Sequence, residues 1–286
     1  MWKTVLLCVL VVVACDTSTT STTAPTTTLP PPPSTPSEAT TTTMGPLACP
    51  QEEDFIGTGQ IDRITQPSSD SRTLGLVSRQ VEGQCERFGF DFDTAGDAPA
   101  TTPPSMTARF LEGSRVIRIS MDIDRTVITD QLIETRLVDR LYVVKGLDGT
   151  MFVDLHLREK AVAKVTVTNS PARLTLELAP GVGDIGPAPL FSDRTVLITP
   201  PGDGEVGSDV EVTGYARNAE ANVMIVATAG NDVVLETSTT AADWLETWGE
   251  FEEEISLPSG TVNLFVGEAS PADGSLQGVT VGLTVR

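Results

Sequence analysis

Residues 141–157 read LYVVKGLDGTMFVDLHL, two apolar runs on either side of an Asp-Gly turn. Branched and aromatic side chains dominate both runs, and residues 151–157 alternate with a period of two. Asp148-Gly149 is typical of the tight turn that joins antiparallel strands. The stretch therefore predicts a β-hairpin.

Similar runs flank this hairpin and make residues 73–180 a β region. Asn169-Ser170-Pro171 is predicted to turn the chain between the last two of them. Residues 129–140 are less regular and predict either a short helix or a loop over the sheet. The candidate strands are residues 88–92, 116–121, 163–167 and 173–178.

Seven short strands are predicted after residue 194, each separated from the next by turn residues. Such spacing is typical of an immunoglobulin-like sandwich. Gly230-Asn231-Asp232 is the expected hairpin turn between the third and fourth strands. The candidate strands are residues 196–198, 210–215, 221–227, 233–237, 251–257, 261–267 and 279–285.

The amino terminus has the pattern of a targeting signal. Met1-Trp2-Lys3 is a short basic start, an apolar run of about ten residues follows, and Ala14-Cys15 closes it. A membrane-spanning helix needs about 20 residues, so a transmembrane anchor is disfavoured. The pattern resembles the lipobox of bacterial lipoproteins, which implies that Cys15 is lipidated and tethers the protein to the outer face of the membrane. A plain cleaved signal peptide is the alternative.

Composition and charge limit the remaining possibilities. The chain has 286 residues and a net charge of −20, which makes nucleic acid a poor partner. The predicted organisation is a signal peptide at 1–14, a disordered Thr/Pro/Ser-rich stalk at 15–48, a β-sandwich at 49–180, a Gly/Pro-rich linker at 181–193 and an immunoglobulin-like sandwich at 194–286. The stalk composition also suits O-glycosylation.

Two of the four cysteines, Cys49 and Cys85, remain after the signal peptide and Cys15 are set aside. Exported cysteine pairs usually oxidise, so a disulfide is predicted. Two free thiols or a shared metal site are the alternatives. Together with His156, the one histidine, they provide too few ligands for a structural zinc site.

Both folded regions resemble known bacterial families. Residues 85–92, CERFGFDF, and residues 162–180 resemble the AMIN-like domain of actinobacterial envelope proteins. That resemblance implies a small β-sandwich that binds or localises and has no catalytic centre.

The later stretches ITPP at 198–201, GSDVEVTGYA at 207–216 and EANV at 220–223 resemble the immunoglobulin-like domain of bacterial spore germination proteins, as do Trp248 with Phe251 and residues 272–275. That resemblance implies the fold and an envelope location.

No catalytic set emerges from the sequence. His156 lies in a predicted strand beside Asp154, without a nucleophile-elbow motif, and is expected to be exposed. Asp91-x-Asp93 and Asp122-x-Asp124 could serve as calcium ligands, but neither continues into a full binding loop, so solvated acidic turns are expected. No cofactor, metal or catalytic residue is predicted.

The last candidates lie in residues 244–254. Trp248 is expected in the sandwich core, and Glu250 with Glu252-Glu253-Glu254 is expected on the wet face of an edge strand. Trp244 is a candidate ligand contact, because exposed aromatic rings often stack on sugars or partner proteins; half-buried packing is the favoured interpretation.

Taken together, the sequence predicts an all-β, lipid-anchored surface protein with two β-sandwich domains behind a disordered stalk. Its expected role is non-catalytic binding or scaffolding in the cell envelope, with cell-wall glycan or an exported protein as partner. The alternatives are an accessory protein that positions a cell-wall hydrolase and, less favoured, a hydrolase itself.

Overall fold

The computed structural model describes residues 54–199, 204–270 and 272–286. These residues form β-strands, turns and loops with a 3-10 turn at Ala219–Ala221, and they contain no α-helix. The all-β prediction is therefore confirmed. The predicted signal peptide, the lipidation site Cys15, the stalk and Cys49 lie outside the described residues.

Twenty strands follow one another along the chain. They are β1 (Gln60–Ile64), β2 (Thr73–Glu82), β3 (Cys85–Asp93), β4 (Met106–Phe110), β5 (Val116–Met121), β6 (Arg125–Thr126), β7 (Asp130–Leu132), β8 (Val138–Lys145), β9 (Met151–Leu157), β10 (Ala161–Thr168), β11 (Arg173–Pro180), β12 (Leu190–Phe191), β13 (Thr195–Thr199), β14 (Gly204–Val206), β15 (Asp209–Ala216), β16 (Asn222–Ala229), β17 (Asp232–Thr240), β18 (Trp248–Ser256), β19 (Gly260–Ala269) and β20 (Leu276–Val285).

Three sheets build two sandwiches. A ten-stranded sheet runs in the order β1-β4-β5-β9-β8-β18-β15-β13-β12, with β7 also paired to β8. Its first half faces the sheet β10-β11-β3-β2-β6, and its second half faces the sheet β14-β20-β19-β16-β17. The large sheet therefore belongs to both sandwiches.

Alternation along β3 explains how the first sandwich forms. Phe88, Phe90 and Phe92 point into the core and are fully buried, and each stabilises the fold by roughly 1.5–3 kcal/mol through removal of apolar surface from water. The residues between them point outward. There Asp91 accepts a hydrogen bond from Arg173 on β11 at 2.7 Å.

The second sandwich has its own core of branched side chains around Phe251. Gly214 on β15 is required at the centre of this sheet, because a Cβ there would lie 2.0 Å from the Val196 carbonyl oxygen on β13 and 2.8 Å from the Phe251 ring. The predicted hairpin turn Gly230-Asn231 joins β16 to β17, with Ala229 opposite Asp232.

Several local predictions agree with the structure and others differ. The hairpin over residues 141–157 is β8 and β9, which pair from Lys145–Met151 to Val138–Leu157. Residues 129–140 contain the strand β7, paired with β8, rather than a helix. Residues 181–193, expected to be a linker, contain β12, which pairs with β13.

No helix within the described residues is long and apolar enough to cross a membrane.

Candidate functional site

The two sandwiches meet where β8 pairs with β18. These strands run parallel, with Trp248 beside Val144 and Gly249 beside Lys145. Thr247 Oγ1, just before β18, donates a hydrogen bond of 2.5 Å to the Val143 carbonyl oxygen. The backbone itself therefore carries the sheet from one sandwich into the other.

A third apolar cluster, which we call the junction core, fills the space beside this crossing. Its members lie on the outer faces of the two sandwiches and are buried only because those faces cover each other. The ring centroids of Tyr142 and Trp248 are 4.9 Å apart in an edge-on arrangement, and those of Tyr142 and Tyr215 are 5.2 Å apart. The junction core comprises Tyr142, Val144, Phe152, Val196, Ile198, Tyr215 and Trp248.

Trp248 therefore lies in the junction core and not, as predicted, in the core of the second sandwich. Its indole N–H donates a hydrogen bond of 3.2 Å to Asp130 on β7 of the first sandwich. The ring is 4% exposed. It thus packs between the two sandwiches and holds a polar contact to the first of them.

An ion-pair network crosses the same junction. Arg118 on β5 donates two hydrogen bonds of 2.9 Å to Asp154 on β9, and a third of 3.0 Å to Glu250 on β18. The Arg118 guanidinium also lies over the Phe152 ring, 3.7 Å from its centroid. One arginine therefore links three strands of the large sheet.

Burial governs the electrostatics of this network. It raises the pKa of Asp154 above its usual value, although the charge and hydrogen bonds of Arg118 act in the opposite direction. Burial lowers the pKa of Arg118, but the two carboxylates outweigh it and raise that pKa overall. Because the pair is bidentate and desolvated, removing one partner would leave a buried charge uncompensated.

Glu250 consequently does not lie on the wet face of an edge strand. It contacts Arg118, and its strand β18 has β15 on one side and β8 on the other. Glu252 and Glu254, further along β18, are exposed as predicted.

His156 was expected to be exposed, and that expectation is wrong. Its side chain is 4% exposed and shares a hydrogen bond between Nε2 and the Tyr215 hydroxyl group. Burial, together with the nearby charge of Arg140, lowers the pKa of His156 to about 3. Burial also raises the pKa of Tyr215 well above its ordinary value. Both groups are therefore neutral at pH 7 and join the sandwiches, without access to a substrate in solvent.

A cleft of about 870 Å³ opens beside the junction core. The first sandwich contributes the segment before β1, the turn between β4 and β5, and the end of β9; the second contributes β13 and β15. Its lining residues are Gly57, Thr58, Gly59, Gln60, Arg109, Phe110, Leu111, Glu112, Gly113, Ser114, Leu157, Lys160, Ile185, Gly186, Ile198, Thr199 and Thr213. Volumes of this size are typical of ligand sites.

Close backbone contacts fix the shape of this cleft. A Cβ on Gly186 would lie 2.8 Å from the Gly113 carbonyl oxygen, so the chain between the sandwiches rests directly on the β4–β5 turn. The Arg115 Nε atom donates a hydrogen bond of 2.5 Å to the Gly186 carbonyl oxygen. Across the cleft, the hydroxyl groups of Thr199 and Thr213 lie 2.7 Å apart.

Trp244, the candidate ligand contact, lies in the loop between β17 and β18 and does not line the cleft. Its side chain is 37% exposed, and that of Leu245 is 67% exposed. Asp243 Oδ1 accepts hydrogen bonds from the backbone N–H groups of Trp244, Leu245 and Glu246, at 2.5, 2.9 and 3.2 Å. The loop is thus ordered and presents both apolar side chains to solvent.

The remaining candidates are dispersed. Cys85 is buried at the start of β3, and the predicted disulfide to Cys49 stays a prediction. Asp91 and Asp93 lie on a strand, where Asp91 contacts Arg173, rather than in a solvated turn. Across the described part of the chain, no three His, Cys, Asp or Glu side chains are grouped as a metal site would require.

Sequence reasoning missed the cleft cations Arg109 and Lys160 and the junction partners Arg118 and Tyr215. The cleft left no local signal, since its lining comes from several separate segments spread along the chain between Gly57 and Thr213. The junction did leave one. Residues 142–144 and 151–155 carry apolar side chains on both faces of their strands, which predicts strands covered on both sides.

Comparison with known proteins supports one of the two family resemblances. No curated protein and no solved structure matches this chain. Residues 195–275, from β13 to the loop before β20, match the model of Gmad2, the immunoglobulin-like domain of bacterial spore germination, so this part of the chain is similar to that family.

Proposed function

We propose that this protein is a lipid-anchored, non-catalytic binding or scaffolding module of the cell envelope. The two joined sandwiches bear the binding surface, and the Thr/Pro-rich stalk carries them away from the membrane. The proposed partner is a cell-wall glycan or another exported protein.

The observation that carries the binding role is the junction. Two sandwiches share one sheet, one buried ion-pair network and one buried aromatic cluster, and together they form a preshaped cleft. Preorganised surfaces bind without loss of much conformational entropy. His156, the one histidine of the chain, is hydrogen-bonded to Tyr215 within this junction, which favours binding over acid–base catalysis.

The anchored location rests on the sequence. The short apolar run that ends at Cys15 supports lipidation, and the Thr/Pro/Ser-rich residues after it support an extended spacer. A disulfide between Cys49 and Cys85 would tie the end of the spacer to β3. In the loop-entropy model it would stabilise the first sandwich by roughly 3–4 kcal/mol.

A labelling experiment tests the anchor. Cells that express the full chain are fed an alkyne fatty acid, and the chain is compared with its Cys15→Ser variant. We expect label and membrane association for the unaltered chain and neither for the variant. Equal labelling of both, or an unlabelled chain found in the cytosol, would refute the anchor.

A second pair of assays tests the binding role and its alternatives. Co-sedimentation with purified peptidoglycan sacculi should pellet the protein if the partner is glycan, and cross-linking in intact cells should capture an exported protein if it is not. Capture of a cell-wall hydrolase would favour the accessory role. A lytic band in a zymogram would overturn the non-catalytic assignment.

A further inference from the structure

We infer that the cleft between the sandwiches binds an anionic oligosaccharide, with Arg109 and Lys160 as the cationic anchors for its charged groups. This inference rests on the proposed binding function and names the class of ligand for one site.

The first argument is that neither cation has a hydrogen-bond or ion-pair partner for its side chain among the described residues. Arg109 on β4 is exposed, Lys160 in the turn before β10 is half-buried, and neither has a hydrogen bond or an ion pair from its side chain to any described residue. Most other cations of the described chain do have such partners: Arg87, for example, pairs with Glu177. The charge of Arg109 acts on Asp154, but the N–H donors of both side chains are unpaired among the described residues and are therefore available to a ligand.

The second argument is the contrast in charge around them. The whole chain carries −20, and residues 194–286 contain three Lys or Arg against 15 Asp or Glu. The cleft lining holds two cations and one carboxylate, that of Glu112. An anion is therefore repelled by most of the surface and attracted to the first-sandwich side of the cleft.

The third argument concerns the neutral groups. Thr58 and Gln60 lie on the first-sandwich side, and Thr199 and Thr213 face them from β13 and β15. Hydroxyl and amide groups both donate and accept hydrogen bonds, as sugar hydroxyl groups do. Phe110, half-buried in the lining, adds an apolar surface against which the CH face of a sugar ring can pack.

Arginine and lysine differ in what they recognise. A guanidinium binds a carboxylate or phosphate group with two parallel hydrogen bonds, whereas an ammonium acts as a point charge. The shared chemistry is therefore a sugar that bears carboxylate or phosphate groups. The experiment therefore uses one probe that carries carboxylate groups and one that carries phosphate groups.

The test is isothermal titration of the full chain in detergent with three probes. They are a galacturonic acid hexamer for carboxylates, a glycerol phosphate oligomer for phosphates and maltohexaose as the neutral control. We expect one or both anionic probes to bind and maltohexaose to bind at least about tenfold more weakly. Raising the salt from about 50 mM to about 500 mM should weaken anion binding, because the cations are accessible to solvent.

Arg109→Gln and Lys160→Gln should each weaken binding of the anionic probe about tenfold, the effect of one charge-assisted hydrogen bond. Lys145→Gln is the matched control. Lys145 also lacks a side-chain partner among the described residues, but it lies at the Met151 end of β9, whereas the cleft lies at the Leu157 end. It should leave the affinity unchanged.

Two results would overturn the inference: equal affinity for all three probes, or the same loss in Lys145→Gln as in the two cleft variants. If sacculi still retain the protein when no soluble anionic sugar binds, the cleft assignment fails and the proposed function stands. If Arg109→Gln and Lys160→Gln lose both the sugar and the sacculi, both proposals are supported.

Discussion

Acidification should destabilise this protein through one residue, His156. Its pKa is about 6.5 in the unfolded chain and about 3 in the folded protein, because folding buries it. Between these values the unfolded chain binds more protons, so the free energy of unfolding rises with pH across that window. Going from about pH 7 to about pH 5 should therefore lower the free energy of unfolding by about 2 kcal/mol.

The pH range in which His156 affects the free energy of unfolding differs from the range in which the carboxylates do. Asp70 and Asp148 have pKa values lowered by hydrogen bonds from nearby Thr residues, so their stabilising effect is lost as the pH falls further, below about 4. Burial raises the pKa of Asp154. Its effect on the free energy of unfolding is therefore opposite in sign to that of Asp70 and Asp148. Among these groups whose pKa folding lowers, His156 is the one that titrates above about pH 5 in the unfolded chain.

Urea unfolding at the two pH values, followed by tryptophan fluorescence and near-ultraviolet circular dichroism, measures the effect. His156→Gln should remove most of the difference between pH 7 and pH 5. Tyr215→Phe is the control: it breaks the hydrogen bond but keeps the histidine buried, so it should destabilise the protein and retain the pH difference. Identical unfolding curves at both pH values for the unaltered chain would refute the reasoning.

Two further substitutions test the junction and the second sandwich. Asp154→Asn should cost about 3–5 kcal/mol in urea unfolding, because it leaves Arg118 buried with only Glu250, while Glu250→Gln should cost clearly less, since that carboxylate is 25% exposed; equal losses would contradict the assignment of Asp154 as the main partner. Gly214→Ala should abolish folding of the second sandwich, seen as loss of dispersed amide signals by NMR, because the added Cβ would lie 2.0 Å from the Val196 carbonyl oxygen; a native-like spectrum would show that the two strands can separate.

Local patterns predicted most of the strands. Alternating Phe residues marked β3, the Asp-Gly dipeptide marked the turn between β8 and β9, and Gly230-Asn231 marked the turn between β16 and β17. Each of these features depends on residues close together in the chain. Backbone geometry and the side-chain period determine them without tertiary information.

Local sequence patterns could not predict the junction, because it forms through tertiary contacts between the two sandwiches. All seven residues of β9 are buried, with Val153 and Leu155 in the first core and Asp154 and His156 facing the second sandwich. A strand with alternating apolar and polar side chains normally exposes its polar face to solvent, and here the second sandwich covers that face. The polar residues that suggested solvent are instead paired with groups contributed from elsewhere in the chain.

The cleft was harder to predict from the sequence than the junction. Lys160 lies in a turn and Arg109 at the end of a short strand that the sequence did not reveal. Only the meeting of the two sandwiches brings them opposite Thr199 and Thr213. No spacing rule connects residues that are so far apart in sequence.

The parallel pairing of β8 with β18 has a consequence for synthesis on the ribosome. Tyr142, Val144 and Phe152 emerge long before Trp248, which covers them. A nascent chain in which only the first sandwich has folded therefore exposes an apolar patch to solvent. We expect a polypeptide that ends before residue 194 to aggregate or to bind chaperones, because this apolar surface would stay exposed to solvent.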